Sequence, residues 1–161
     1  QPNRLREVCP NLLAPSVGAE MHPVAAPRQG KQARSVPALA LVTEEELRGT
    51  PQYMRSRLDI AKVNAALQEV GTLLKQRYAL LSMSAAQLRA ASEADRKRHA
   101  TLKALEDSTT KGLFFLTEDD LKQSGSVVRQ DATGKNLLSV LRHVGRLKEF
   151  KHQGMRCWHT R

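Results

Sequence analysis

The feature that most constrains the fold is a long apolar stripe that follows Asp59. Apolar residues recur there at intervals of three and four: Ile60, Val63, Leu67, Val70, Leu74, Tyr78 and Leu81. This spacing places them on one face of a helix that runs from Asp59, a suitable N-cap, to about Leu81. The stripe spans only about three heptads and Arg77 lies in its seam, so a core helix is favoured over a coiled-coil strand.

A second helical pattern covers residues 134–150. Five apolar residues fall on one arc of this predicted helix: Leu137, Val140, Leu141, Val144 and Leu147. Three cations share the opposite arc: Lys135, Arg142 and Arg146. Thr133 is the predicted N-cap, and Lys148 and Lys151 lie near the C-terminal end, where the helix dipole favours positive charge. Taken alone, the basic face is either a solvated surface or a binding surface.

The N-terminal part of the chain differs in composition from the rest. All seven prolines lie at or before Pro51, and residues 1–42 are rich in Ala, Pro, Gln and Val without a regular period. Such a segment buries too little apolar surface to order itself. We therefore expect a disordered Pro/Ala-rich linker over 1–42 and one domain over 43–161. Because the chain opens with Gln1, we expect it to be a fragment of a longer protein.

Local signals predict the remaining helices. A capping box at Thr43–Glu46 starts a short helix that Gly49 and Pro51 end, and Ser84 with Gln87 opens a helix to about Asp107. That second helix carries a basic cluster at residues 96–98, either a solvated face or a binding element. Residues 117–120 start a further short helix that ends at about residue 123.

Two short strands are predicted in the second half of the chain. Leu113–Leu116 is an apolar run typical of a buried strand, and Met155–Thr160 alternates in a final strand after the Gln153-Gly154 turn. The final strand is expected to return beside the first. The predicted fold is therefore mainly α with a small antiparallel β-sheet, in the element order of a winged-helix variant.

Charge limits the partner more than it limits the fold. Lys and Arg outnumber Asp and Glu by 26 to 16, which gives a net charge of +10 and favours an acidic polymer or surface as partner. Nucleic acid, an anionic membrane and an acidic protein all fit this charge. The sequence shows no apolar run long enough to span a membrane, and because residues 1–20 lack a basic start followed by an apolar block, we expect no signal peptide there.

The sequence contains no pattern typical of catalysis. Gly125 and Gly134-Lys135 lack the P-loop spacing, and the five histidines lack the spacing of a metal site. Cys9 and Cys157 lie at opposite ends of the chain, so free thiols are expected rather than a disulfide. We expect no enzyme activity, no cofactor and no metal.

Three blocks of sequence resemble a known family. They are PQYMRSRL with the long helix after it at 51–81, TKGLFF with an acid-rich helix start at 110–121, and LLSVLRHVGRLKE with a glycine turn at 137–154. In this order they resemble the microtubule-binding domain of the first subunit of the spindle-and-kinetochore-associated (Ska) complex. The resemblance covers roughly residues 43–161, and its weakest part is 82–108.

The resemblance implies a winged-helix variant that binds microtubules and couples kinetochores to the spindle in mitosis. The family binds tubulin, whose outer surface and C-terminal tails are acidic, through basic residues spread over more than one face. Several weak cationic contacts add to a salt-sensitive attraction. The family assembles with the other Ska subunits through N-terminal helices, which we expect to be absent from this chain. The implied location is the cytoplasm, at the mitotic spindle and kinetochore.

The matching motifs also imply which residues contact tubulin. Arg57 matches the arginine of the YMRSRL block, Lys111 matches the lysine of TKG, and Arg142 matches the arginine of LRH. Arg146 follows one turn later, and Lys151 stands where the family tends to have arginine. Two more residues lie near basic positions of the family: Arg129 and Lys135.

Two other partners fit the charge. In a double-stranded DNA-binding winged helix, Lys135, Asn136 and Arg142 would face the groove and residues 151–156 would form a wing. This is the alternative to the microtubule interpretation. A membrane surface is disfavoured, because large apolar residues do not accompany the cations on the exposed face.

Overall fold

The long helix predicted after Asp59 lies in the core. The computed structural model describes residues 34–124, 127–128 and 131–160, and its longest helix, α3, spans Ile60–Leu81. The Asp59 carboxylate caps α3 by accepting a hydrogen bond from the Lys62 N–H at 2.7 Å. Val63, Leu67 and other residues of the apolar stripe are almost completely buried. The prediction of a core helix is confirmed.

Two short helices precede α3. Helix α1, Glu44–Arg48, begins with the predicted capping box, because Thr43 and Glu46 exchange hydrogen bonds between side chain and backbone. Helix α2, Gln52–Arg55, lies in the PQYMRSRL block and packs against a later helix, α7, Ala132–His143. The chain therefore brings the first and third blocks of the family resemblance together.

The helix predicted from Ser84 to about Asp107 is interrupted. The Ser84 capping box starts α4, Ala85–Ala90, and a second helix, α5, spans Glu93–Ala104. Ser92 caps α5 by accepting a hydrogen bond from the Asp95 N–H at 3.1 Å. The prediction of one continuous helix was wrong, because this second cap competes with helix continuation.

The C-terminal half contains a three-stranded antiparallel sheet. Strand β1, Phe115–Thr117, leads into α6, Glu118–Ser124, and strands β2, Leu147–His152, and β3, Met155–Thr160, form a hairpin. The strand order is β1-β3-β2, with Leu116 opposite Trp158. The predicted pairing of the first and last strands is confirmed, and the first strand lies slightly later than expected.

The predicted helix over 134–150 was wrong at both ends. Asp131, not Thr133, caps α7, and the helix ends at His143. Gly145, with φ of 75°, follows the helix in a left-handed conformation, and the Arg146 N–H donates to the Leu141 carbonyl at 2.9 Å. This glycine-terminated hydrogen-bond pattern satisfies the last carbonyls of the helix and turns the chain. Residues 147–150, expected in the last helical turn, instead belong to β2.

The sheet is covered on both faces. Leu147 and Trp158 lie on the face that joins the main core with α3 and α7. Phe115 and Cys157 lie on the other face, in a smaller cluster with Leu105. Because side chains alternate along a strand, successive residues of each strand project alternately toward the main core and toward the smaller cluster.

Residues 34–42 pack against the domain, although the sequence placed them in the linker. Val42 is buried, and Val36 and Leu39 contact the main core. The Val42 N–H and carbonyl bond to the Asn64 side chain at 2.8 and 3.1 Å, and Arg34 lies 3.5 Å from Glu106. We call residues 34–42 the strap. The rest of the expected linker, residues 1–33, lies outside the described residues.

The predicted fold class is confirmed as mainly α with a small antiparallel sheet, and the winged-helix assignment stays a prediction. Within the described ranges, no helix is both long and apolar enough to cross a membrane.

Candidate functional site

The seven residues predicted to contact tubulin are distributed over several elements. Arg57 is exposed just after α2, and Lys111 is exposed in the turn before β1. Lys135 and Arg142 are exposed on the first and last turns of α7, and Lys151 is exposed on β2. Two predictions need separate treatment: Arg129, which lies outside the described residues, and Arg146.

Lys135 and Arg142 meet at a small cleft between α7 and the β2–β3 hairpin. The cleft has a volume of about 130 Å³. Its lining residues are Glu118, Lys135, Leu138, Ser139, Arg142, Glu149, Arg156 and Trp158. Three of these side chains are cationic and two are anionic, so the cleft has a local excess of positive charge. We call it the basic cleft.

Glu149 lies between two arginines of the basic cleft. Arg142 Nη1 donates to Glu149 Oε2 at 2.6 Å, and Arg156 Nε lies 3.9 Å from Glu149 Oε1. The Glu149 side chain is 28% exposed, against 50% for Arg142 and 61% for Arg156. Both guanidinium groups therefore keep donors facing solvent while they share one carboxylate.

Further cations extend the positive charge beyond the cleft. Lys151 lies directly opposite Arg156 in the hairpin, and paired residues of adjacent strands project to the same face. Lys135 and Lys151 have no acidic partner in the part of the chain that the structure describes. This surface therefore has unpaired positive charge available to an acidic partner.

Arg156 was missing from the residues predicted to contact tubulin, although the DNA-binding alternative placed it in the wing. Its position beside α7 depends on the β2–β3 hairpin. The sequence signal that could have placed Arg156 beside α7 was the Gln153-Gly154 turn combined with Gly145, because together they allow a hairpin immediately after the helix. Tyr53 on α2, in the first block of the family resemblance, is a further exposed residue, with 76% of its surface accessible.

Arg146 has a structural position rather than an exposed one. Its guanidinium donates to the Ala40 carbonyl at 2.9 Å, to the Leu41 carbonyl at 3.2 Å and to both Glu46 oxygens at 2.8 Å. The hydrogen bond from the Thr43 N–H, and then the one from Arg146, hold the pKa of Glu46 below its usual value, although burial opposes them. The predicted row of Lys135, Arg142 and Arg146 on one helix face is wrong, because α7 ends before Arg146.

We therefore expect Arg146→Ala to loosen the strap. The substitution removes the donors that hold two strap carbonyls and the Glu46 carboxylate, so cleavage by a protease within residues 34–42 should become faster and the melting temperature should fall. Limited proteolysis followed by mass spectrometry measures the first effect, and thermal unfolding measures the second.

Arg142→Ala is the matched control for this prediction, since Arg142 bonds to Glu149 on the surface and not to the strap. Its melting temperature should stay close to that of the unchanged protein. Equal stability and equal protease resistance of the two variants would contradict the clamp role of Arg146.

A buried charge pair lies away from the basic cleft. Arg77 on α3 bonds to Asp120 on α6, with 1% and 7% of their side chains exposed, and the Arg77 guanidinium lies 4.4 Å from the Phe115 ring centre. Asp120 also accepts from the Thr117 N–H and hydroxyl at 3.0 and 2.9 Å. These contacts tie α3, β1 and α6 together, which is a structural role.

The described part of the chain has no cluster of His, Cys, Asp and Glu that could hold a metal ion. Burial raises the pKa of the Cys157 thiol, so it stays protonated and packs in the smaller core.

Comparison with known proteins gives a consistent result over most of the chain. A family model described as "Spindle and kinetochore-associated protein 1" matches residues 6–154. The SKA complex subunit 1 homolog of Arabidopsis thaliana is 35% identical over 121 residues, which are 75% of this chain and 43% of that protein. SKA complex subunit 1 of Xenopus tropicalis is 31% identical over 135 residues, covering 82% and 52% of the two chains. The human protein of the same name is 29% identical over 127 residues, covering 78% and 48%. The chain spans about half the length of the curated relatives it matches.

Proposed function

The chain belongs to the spindle and kinetochore-associated protein 1 family, and we propose that it is a microtubule-binding module that couples kinetochores to spindle microtubules in mitosis. The observation that carries this proposal is the set of exposed cations on α7, on the hairpin and after α2, which suits an acidic surface better than a small ligand. Tubulin supplies such a surface, and its acidic tails supply flexible carboxylates.

The distribution of the cations supports weak, multiple contacts. Arg57, Lys111 and Lys151 are exposed on three different parts of the fold, and Lys135 and Arg142 line the basic cleft. Each exposed charge pair contributes little binding free energy by itself, but several pairs together produce a salt-sensitive attraction. Arg129 stays in the proposed set on sequence grounds alone.

The relatives' names supply the expected assembly. Each is called a subunit of the SKA complex. We propose that this chain acts in such a complex, at the spindle and kinetochore, with the other subunits bound outside the domain described above. A role as a complex subunit also agrees with the expectation that the protein is not an enzyme.

Double-stranded DNA is the second candidate partner, and one observation favours it. The β2–β3 hairpin lies beside α7 with its turn at Gln153-Gly154, which is where the sequence placed a wing. Against this candidate, Glu118 and Glu149 also line the cleft and would repel phosphates. Contacts with tubulin that are spread over several faces can avoid these two acids, whereas a continuous phosphate backbone along the cleft would pass beside them.

Arg57→Ala separates the two candidates. Tubulin binding by dispersed contacts uses this exposed arginine, which follows α2 and lies outside α7, whereas groove recognition is centred on α7. We expect a clear loss of microtubule affinity, about two- to fivefold for one exposed charge, with unchanged melting temperature. Cosedimentation with microtubules and titration of a duplex of about 20 base pairs give the two affinities in parallel.

Arg89→Ala is the matched control, because it removes one exposed arginine from α4, which packs against α5. The microtubule affinity of Arg89→Ala should fall less than that of Arg57→Ala. The microtubule proposal fails if Arg57→Ala binds microtubules normally and the unchanged protein binds duplex with sequence selectivity.

A further inference from the structure

Glu149 occupies the place in the basic cleft that best suits a carboxylate of the partner. Its two oxygens face two different arginines, at 2.6 Å from Arg142 Nη1 and 3.9 Å from Arg156 Nε. An arginine fork is shaped to bind a carboxylate, and here the protein supplies that carboxylate itself.

The size and lining of the cleft indicate what else can enter it. Its volume of about 130 Å³ is several times the share of one liquid water, about 30 Å³, and far below the roughly 300–1,000 Å³ of sites for drug-sized ligands. Leu138 and Trp158 give it an apolar base, and Lys135 adds a third cation. A single acidic side chain is compatible with this space and with its cationic lining, whereas a drug-sized ligand is too large for it.

We infer that the basic cleft takes up an acidic side chain of the partner in exchange for Glu149, and that Arg156 is a further partner-binding residue. The inference rests on the proposed function, since a tubulin glutamate is the acidic side chain it commits to. When the partner carboxylate enters between Arg142 and Arg156, Glu149 turns to solvent. Glu149 is thus a built-in competitor that lowers affinity and speeds release.

The exchange replaces one carboxylate with another, so each arrangement neutralises the same cations. Because Glu149 is already 28% exposed, its carboxylate can be hydrated by solvent when it gives up its contacts with the two arginines. Lys135, which has no acidic partner within the described ranges, then adds attraction for the incoming carboxylate that Glu149 leaves unused.

The test is Glu149→Gln in cosedimentation with microtubules. Glutamine keeps the shape of the side chain but removes the competing charge, so we expect affinity to rise about two- to fivefold, the range of one exposed ion pair. The melting temperature should stay within a few degrees of the unchanged protein. Adding Arg156→Ala to Glu149→Gln should abolish the gain, because the freed arginine is then missing.

Glu44→Gln is the matched control. Glu44 on α1 pairs with Arg48 at 3.2 Å, so this change also frees one arginine and raises the net charge by one. It should raise affinity less than Glu149→Gln does. Equal gains in the two variants would show a general charge effect, and a loss of affinity in Glu149→Gln would show that Glu149 orients the arginines for binding. Either result overturns the exchange.

The outcomes also separate this inference from the proposed function. If the unchanged protein does not cosediment with microtubules, the proposed function fails and the inference falls with it. If the unchanged protein cosediments and Glu149→Gln gains nothing over Glu44→Gln, only the inference fails. A gain measured on duplex DNA but not on microtubules would assign the cleft to phosphate and overturn the choice of partner.

Discussion

Asp120→Ala is expected to destabilise the domain by about 3–5 kcal/mol, the usual cost of leaving a buried charge without its partner. The substitution removes the counter-charge of Arg77, whose side chain is 1% exposed. Arg77 Nε and Nη2 already lack hydrogen-bond partners among the described residues, and the Phe115 ring 4.4 Å from the guanidinium has no net charge that could replace the carboxylate. Chemical denaturation with a two-state fit measures the change in the free energy of unfolding.

Asp119→Ala is the control, because Asp119 belongs to the same first turn of α6 but is 62% exposed and, among the described residues, pairs with the surface Lys122 at 3.6 Å. It should cost less than about 1 kcal/mol. The double variant Arg77→Met with Asp120→Ala should recover part of the stability, since the uncompensated charge is then gone. A double variant less stable than Asp120→Ala would contradict the buried-charge explanation.

Removing the three cations of the basic cleft is expected to have the largest effect on binding. Lys135→Ala, Arg142→Ala and Arg156→Ala together should weaken cosedimentation with microtubules at least about tenfold, which corresponds to about 1.4 kcal/mol. This is the sum expected for three exposed contacts of a few tenths to 1 kcal/mol each. All three side chains line one cleft beside α7, so the variant removes all the cations of the basic cleft at once.

The control variant combines Arg48→Ala, Arg89→Ala and Lys103→Ala. It removes two arginines and one lysine that are exposed on α1, α4 and α5, so both triple variants have the same net charge. We expect its binding to fall much less. Equal losses in the two variants would show that net charge alone, and not the basic cleft, sets the affinity.

Helices with local signals could be predicted from the sequence. Asp59 and the apolar stripe after it define α3, and the capping boxes at Thr43 and Ser84 define the starts of α1 and α4. In these cases the capping residue and the first turn lie within three residues of each other, so local chemistry decides the outcome.

The strand β2 could not be predicted in the same way, because Leu147 continues the apolar arc of the preceding helix. The outcome depends on Gly145, whose positive φ ends α7, and on pairing with β3, which a helical period does not reveal. The same misassignment produced the error at Arg146, which was expected on a basic helix face and instead clamps the strap.

Contacts between distant residues account for the remaining differences. In the sequence, Arg77 is a charged residue that interrupts an apolar stripe, and its partner Asp120 is 43 residues away. The strap lacks any regular period and is held by backbone hydrogen bonds to Asn64 and Arg146. Such contacting residues become visible only when the fold is known, whereas an acidic binding partner stays a prediction that rests on the net charge and the matching motifs.

We propose that this domain binds microtubules through its exposed cations. The most direct measurement is cosedimentation of the unchanged protein with microtubules, repeated after proteolytic removal of the tubulin tails, beside a titration of duplex DNA at the same salt concentration. We expect saturable cosedimentation that weakens as salt rises, with higher affinity for microtubules than for the duplex. Failure to cosediment above the level without microtubules, or tighter and sequence-selective binding to the duplex, would contradict it.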